Sequence, residues 1–366
     1  MASRILIAPD KFKGSLTALE AAEAIARGFR ESEPDAVLDL CPIADGGEGF
    51  MATIAGAMKG RWVEVDAVDA LERSIRSRYF LAETGEGPVA VIEMAETAGM
   101  WRLSREELNP VRATTRGVGI QMADAIRNQS VARIVVGLGG SATNDGGCGM
   151  AAELGVRFCN DRGAMIDPLP IHMEQVQSVD RCEMLALPPV MVACDVGNPL
   201  LGPSGATAVF SAQKGAGEED QVALERGLTH LVSIAVAVKE AAIPGAGAAG
   251  GLGFGLVCFA GAKLVPGFDL VADLLGLDAR IERADLIVTG EGSLDFQSLG
   301  GKAPVALARR ANELGKRTLA CCGRVDQQLR DSGIFDRVMS LTDTGLSESE
   351  LMRDAGDLLT RLVEAG

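Results

Sequence analysis

Ile5-Leu6-Ile7-Ala8-Pro9-Asp10-Lys11-Phe12-Lys13-Gly14-Ser15 is the stretch that decides the fold. A short apolar run closed by Pro9 reads as a buried strand. The polar turn after it opens into Leu16 to Glu31, where Leu19, Ala22, Ile25, Ala26 and Phe29 share one helical face. Ser15 is the expected N-cap, with Thr17 as its rival. Val37 to Ile43 repeats the strand, Ala44 to Gly49 the loop, and Phe50 to Met58 the helix. A β-α-β-α opening of this kind starts a parallel sheet, and such sheets bind ligands at the edge where strands run into loops.

The same rhythm returns at the other end of the chain. Leu286 to Thr289, Thr318 to Cys322 and Arg337 to Leu341 read as strands, each followed by a loop and a helix, the last from about Ser347 to Glu364. Two units at the start and three at the end predict one five-stranded doubly wound sheet. The middle differs. Trp62 to Val68 and Ser74 to Leu81 read as a hairpin, and Val89 to Met94, Ile134 to Val136 and Val190 to Ala193 as buried strands. Ala-rich helical pattern fills about 219 to 241 and 252 to 282. The expectation is an α/β protein: a discontinuous domain of 1–60 plus 265–366, with a large second α/β domain, 61–264, inserted into it.

The 366 residues are 47% hydrophobic and 23% charged, with a net charge of −15 and a pI near 4.7. So acidic a chain is a poor partner for nucleic acid or an anionic membrane, though a few local cations can still hold an anionic substrate. No apolar run is long enough to cross a bilayer, and Met1-Ala2-Ser3-Arg4 runs straight into a strand pattern without a signal peptide. A cytoplasmic protein is expected, with oligomeric state left open, a homodimer included. Eight cysteines without a CxxC pair read as reduced residues. Two histidines argue against histidine-rich metal sites or a histidine triad. The 45 glycines cluster in loops beside acidic and hydroxyl residues, where backbone N–H groups can approach a phosphate.

Five loops carry the candidate chemistry. Pro9 to Ser15 places Lys11 and Lys13 at a helix start, an anion site. Ala44-Asp45-Gly46-Gly47-Glu48-Gly49 flanks carboxylates with glycine, suiting a metal or hydroxyl contact or simply a capped turn. Gly137-Leu138-Gly139-Gly140-Ser141-Ala142-Thr143-Asn144-Asp145-Gly146-Gly147 opens as a G-x-G-x-x-A fingerprint, but it is long and polar and lacks the acidic strand end. It reads better as a phosphate cradle with Ser141, Thr143 and Asn144 as side-chain donors. Asp195, in Cys194-Asp195-Val196-Gly197-Asn198-Pro199-Leu200, ends a buried strand, a rigid place for a base or metal ligand. Thr289-Gly290-Glu291-Gly292-Ser293-Leu294-Asp295, with Gly300-Gly301-Lys302 beyond, pairs carboxylates with a lysine. Gly245 to Gly250 matches G-x-G-x-x-G with no strand before it, so covering phosphates and forming a tight turn are both open. Cations, backbone donors and carboxylates are what phosphoryl transfer needs.

These five segments, in order from Ile5 to about Asp343, resemble the bacterial type I glycerate kinases. The resemblance implies a flavodoxin-like domain with an inserted α/β domain and an active site in the cleft between them. It also implies phosphorylation of D-glycerate by ATP with Mg2+, usually giving 2-phosphoglycerate. The role assignments that follow are Lys11, Lys13 and Ser15 on the glycerate carboxylate or the transferring phosphate, with Asp10 and Ser293 also on the substrate. Asp195 is the first candidate for general base and Asp295 the second; Asp45 and Glu291 are candidates for Mg2+ or substrate; Gly139, Gly140, Ser141, Thr143 and Asn144 cradle the nucleotide. The rivals are a kinase for another hydroxy or sugar acid, a NAD-dependent dehydrogenase and a non-catalytic metabolite-binding protein.

Overall fold

The computed structural model describes residues 2–47, 49–295, 298 and 302–366. Two sheets are formed by, in chain order, β1 (Arg4–Ile7), β2 (Val37–Leu40), β3 (Gly60–Val68), β4 (Ser74–Ala82), β5 (Val89–Glu93), β6 (Arg133–Gly137), β7 (Val190–Ala193), β8 (Lys263–Val265), β9 (Leu286–Thr289), β10 (Arg317–Cys322) and β11 (Arg337–Ser340). The chain divides into two compact units. One comprises Met1–Asp45, Ala52–Met58 and Phe268–Gly366, the other Gly46–Met51 and Lys59–Gly267.

The first unit holds a five-stranded sheet in the order β11-β10-β9-β1-β2. Every neighbouring pair is parallel, with Ile5 opposite both Leu286 and Leu38. Counted from β2, this is the flavodoxin order 2-1-3-4-5. Side chains alternate across each strand. Leu319 and Cys321 of β10 join one core with Ile25 and Phe29 of α1 (Ala18–Ser32) and Leu359 of the helix Ala355–Glu364. Ala320 and Cys322 join another with Val305 and Ala308 of the helix Ala303–Glu313. Helices therefore cover both faces. Burial of each large side chain in these cores contributes about 1.5–3 kcal/mol.

The second unit holds a six-stranded sheet, β8-β7-β6-β5-β4-β3. The hairpin β3–β4 and the pair β4–β5 are antiparallel, the rest parallel. Its hairpin loop is tied by Asp69, whose Oδ1 accepts from the Leu71 and Arg73 amides, the local carboxylate turn that favours Asp there.

Three expectations need correction. The N-cap of α1 is Thr17, not Ser15: Thr17 and Glu20 form a reciprocal capping box, while the Ser15 hydroxyl donates to the Phe12 carbonyl at 3.1 Å. The stretch 252–282 is not continuous helix. Gly261 in the left-handed region stops the helix Ala248–Ala260, and β8 pairs with β7 before Gly267–Leu275 begins. The stretch 219–241 breaks between Ile234 and Val238, with Val236 at positive φ. No helix among the described residues is long and apolar enough to cross a membrane. All eight cysteines are free, and five of them are buried.

Candidate active site

In the first unit, three loops leave the carboxyl ends of β2, β1 and β9 side by side. The Ile43 amide donates to the Pro9 carbonyl at 3.0 Å, and the Asp10 amide to the Gly290 carbonyl at 2.8 Å. The Thr289 hydroxyl adds a 2.7 Å bond to the Ala8 carbonyl. Gly290 is required here: at φ +154° a Cβ would lie 1.6 Å from the Cys321 carbonyl oxygen of β10. This close approach delivers Glu291 to the same edge as Asp10 and Asp45.

Asp10 is buried. Burial above all, then the negative charges of Asp45 and Glu291, push its carboxyl up to about 7, against the pull of Lys11. Burial also raises Glu291, opposed by Lys302 and a hydrogen bond from Ser298. Ser298 organises this corner. Its hydroxyl donates to Glu291 Oε1 at 2.9 Å, and its amide to Asp295 Oδ1 at 3.1 Å. Lys302 Nζ lies 3.6 Å from both Glu291 Oε2 and Asp295 Oδ1. Ser293 accepts from Arg324 Nε at 2.7 Å. Lys13 is exposed and Lys11 half-buried. Glu48, Gly300 and Gly301, which the motifs include, lie outside the described residues.

Carboxylates whose negative charge raises a buried neighbour, as Asp45 and Glu291 raise Asp10, suit a hard divalent cation. Among the described residues, no group of three or more His, Cys, Asp or Glu side chains is arranged to hold a metal ion. The donor chemistry of Asp10, Asp45 and Glu291 fits Mg2+, which is usually held by one or two carboxylates and completed by water and phosphate oxygens.

The second unit holds the other candidates. Asp195 is exposed just beyond β7, and its Oδ1 accepts from the Gly267 amide at 2.8 Å. Glu93, at the end of β5, is buried and accepts from the amides of Gly49 at 3.0 Å and Met51 at 3.2 Å. It thereby caps α2 (Phe50–Ala57) from a distant strand.

The Gly137–Gly147 loop leaves β6. Gly140 is exposed and Gly139 half-buried, whereas Ser141 to Gly147 are buried. Asp145 locks the loop, accepting from the amides of Thr115, Gly147 and Gly149 and from the Thr115 hydroxyl. The side chains expected to donate to phosphate are turned onto protein. Asn144 Nδ2 donates to Thr207 at 3.2 Å, the Thr143 hydroxyl to the Ala249 carbonyl at 3.5 Å, and Ser141 accepts from Lys214. The backbone at half-buried Gly139 and exposed Gly140 is thus the part of this loop open to a ligand.

The Gly245–Gly250 run is a packing device against this loop. Gly250 has φ +66°, and a Cβ on it would sit 1.9 Å from the Thr143 carbonyl oxygen. The Gly146 amide donates to the Gly250 carbonyl at 3.1 Å.

The sequence reading passed over Glu93, Lys214, Ser298 and Arg324. Glu93 left a trace, a carboxylate closing an otherwise apolar strand. Lys214 left none: beside Gly215 it looks like a solvated cation, yet it is 1% exposed and donates 2.8 Å bonds to Ser141 Oγ and the Thr143 carbonyl. Burial pushes its pKa down to about 7, against the field of Asp145.

Comparison with known proteins follows the same lines. A sequence profile described as the glycerate kinase family matches residues 5–365. A glycerate kinase of Halalkalibacterium halodurans is 39% identical, with 97% of this chain and 95% of that protein covered. The glycerate 2-kinase of Escherichia coli K12 is 35% identical, with 98% and 95% covered. A solved structure assigned to glycerate kinase 2 in Salmonella typhimurium LT2 superposes with a TM-score of 0.89 at 35% identity, covering 100% of this chain and 97% of that one. With matched motifs, matched length and matched architecture, the chain belongs to the glycerate kinase family.

Proposed function

We propose that the protein transfers the γ-phosphoryl group of ATP to the C2 hydroxyl of D-glycerate, giving 2-phospho-D-glycerate and ADP. The observation that carries this reading is the crowding of Asp10, Asp45 and Glu291 at the carboxyl edge of the first unit's sheet, beside Lys11. Carboxylates placed so that one is held protonated near neutral pH are under electrostatic strain, which a cation and a polyanionic substrate relieve together. Bound there, Mg2+ supplies charge neutralisation at phosphate oxygens. One or two of the carboxylates Asp10, Asp45 and Glu291 would hold it, with water and phosphate oxygens completing the shell.

The remaining roles belong to this chain's own groups. Lys11, with Lys13 and Ser15 on the same turn, attracts and orients the glycerate carboxylate or the transferring phosphate. Ser293, held by Arg324, presents a hydroxyl to the substrate. Asp295, fixed by Ser298 and Lys302, is a positioning group. Asp195, at the end of a rigid strand and open to solvent, takes the proton from the reacting hydroxyl. The Gly139–Gly140 backbone receives nucleotide phosphate.

The assignment to C2 draws on the glycerate 2-kinase relative. It is tested by phosphorus NMR of the product. Phosphate on C2 couples to one carbon-bound proton and gives a doublet. A triplet would place the phosphate on C3 and reject the proposed regiochemistry.

A further inference from the structure

We propose that Lys214 is a positioning residue for nucleotide phosphate: its buried ammonium pins the Gly137–Gly147 loop from inside and supplies the positive charge for an anion held on the accessible Gly139–Gly140 backbone. The inference rests on the reading of that loop as a phosphate site, and it names the group that makes the loop selective for anions.

An ammonium removed from water is expensive unless a counter-charge accompanies it, and fully buried lysines are rare for that reason. Lys214 is 1% exposed, and both acceptors it meets on the loop, Ser141 Oγ and the Thr143 carbonyl, are neutral. The negative group whose field reaches it is Asp145. That carboxylate is already engaged by Thr115, Gly147 and Gly149. The compensation is incomplete, as the lysine's lowered pKa of about 7 records.

Geometry supplies the rest. Ser141 is adjacent in sequence to exposed Gly140, so the ammonium is anchored one residue from the part of the loop a ligand can touch. The Gly140 carbonyl accepts from the Met100 amide, and the Ala142 amide donates to the Ala98 carbonyl. These bonds fix the backbone orientation on either side of Ser141. Lys214 thus sits against a fixed stretch of glycine-bearing backbone, and a cation held there favours an anion.

A positioning role has a signature that simple structural support lacks. An anion arriving at the loop favours the charged lysine and raises its pKa. Above pH 7 nucleotide binding should therefore draw a proton onto Lys214. The test is calorimetric titration of the full-length protein with MgADP at pH 8, in two buffers of different ionisation enthalpy. Wild type is compared with Lys214→Met, and D-glycerate is titrated in parallel.

The expected result is proton uptake on MgADP binding by wild type. In the variant that uptake is lost and MgADP binds at least tenfold more weakly, while D-glycerate affinity stays within twofold. MgADP affinity and proton uptake unchanged in Lys214→Met would overturn the inference and leave the kinase reading standing. A wild type that binds D-glycerate but no MgADP would overturn both. Should the variant fail to fold, hydrogen exchange on wild type decides: amides of Gly139 to Asn144 must slow on MgADP addition, and unchanged exchange there rejects the proposal.

Discussion

Asp10 is a carboxyl with two competing demands. Its folded pKa of about 7 stands above the ordinary 3.8. The stability linked to its protonated form is therefore fully present below about pH 3.8 and is lost as pH rises through 7. A rise of about three units corresponds to on the order of 4 kcal/mol at most. Asp10→Asn should raise the thermal midpoint at pH 8 and change it little at pH 4, while lowering kinase turnover. Equal midpoints at pH 8 would show that Asp10 is not under the strain described here. Asp195 makes a simpler prediction. Asp195→Asn should fold normally and lose about 10²–10⁴-fold in kcat, the usual worth of a general base. Near-full turnover in a folded variant would remove Asp195 from the chemistry.

Single elements show how these side chains are held. Glu93→Ala strips the amides of Gly49 and Met51 of their acceptor at the start of α2. The expected loss is about 1–3 kcal/mol in a denaturant titration, together with lower activity as the Ala44–Gly49 loop shifts. Gly250→Ala forces a Cβ to 1.9 Å from the Thr143 oxygen at positive φ. It should destabilise more than Thr17→Ala, whose lost cap costs about 1 kcal/mol. A Gly250→Ala protein as stable as wild type would contradict the packing role given to that run.

The same elements show what a sequence can disclose. The β1 turn and the loops after β2, β6, β7 and β9 were legible because a short apolar run followed by Gly, Asp and Ser has few other readings. β8 was hidden because three residues, Lys263-Leu264-Val265, sit among Ala- and Gly-rich neighbours that carry helical periodicity, and only pairing with β7 makes them a strand. The inward turn of Ser141, Thr143 and Asn144 was equally illegible. A hydroxyl or amide that serves the fold is the same residue type as one that serves a ligand, and only Lys214, Ala249 and Thr207 reveal the difference.

At the scale of the whole molecule, a chain with a net charge of −15 acts on anionic substrates by the proposed function. Diffuse negative charge is screened by salt within about 10 Å at 0.1 M, whereas Lys11, Lys302 and Arg324 act at short range beside the carboxylates and hydroxyl of one sheet edge. The five strands of the first unit's sheet were readable because two α/β units open the sequence and three close it, whereas their order, with β1 between β2 and β9, comes from the structure. The measurement that tests the central claim most directly is ADP release from ATP on addition of D-glycerate with Mg2+, with organic phosphate quantified alongside. The account predicts one ADP and one 2-phospho-D-glycerate per glycerate consumed. D-glycerate binding with no ADP formed, or ADP formed with no phosphorylated glycerate, would contradict it.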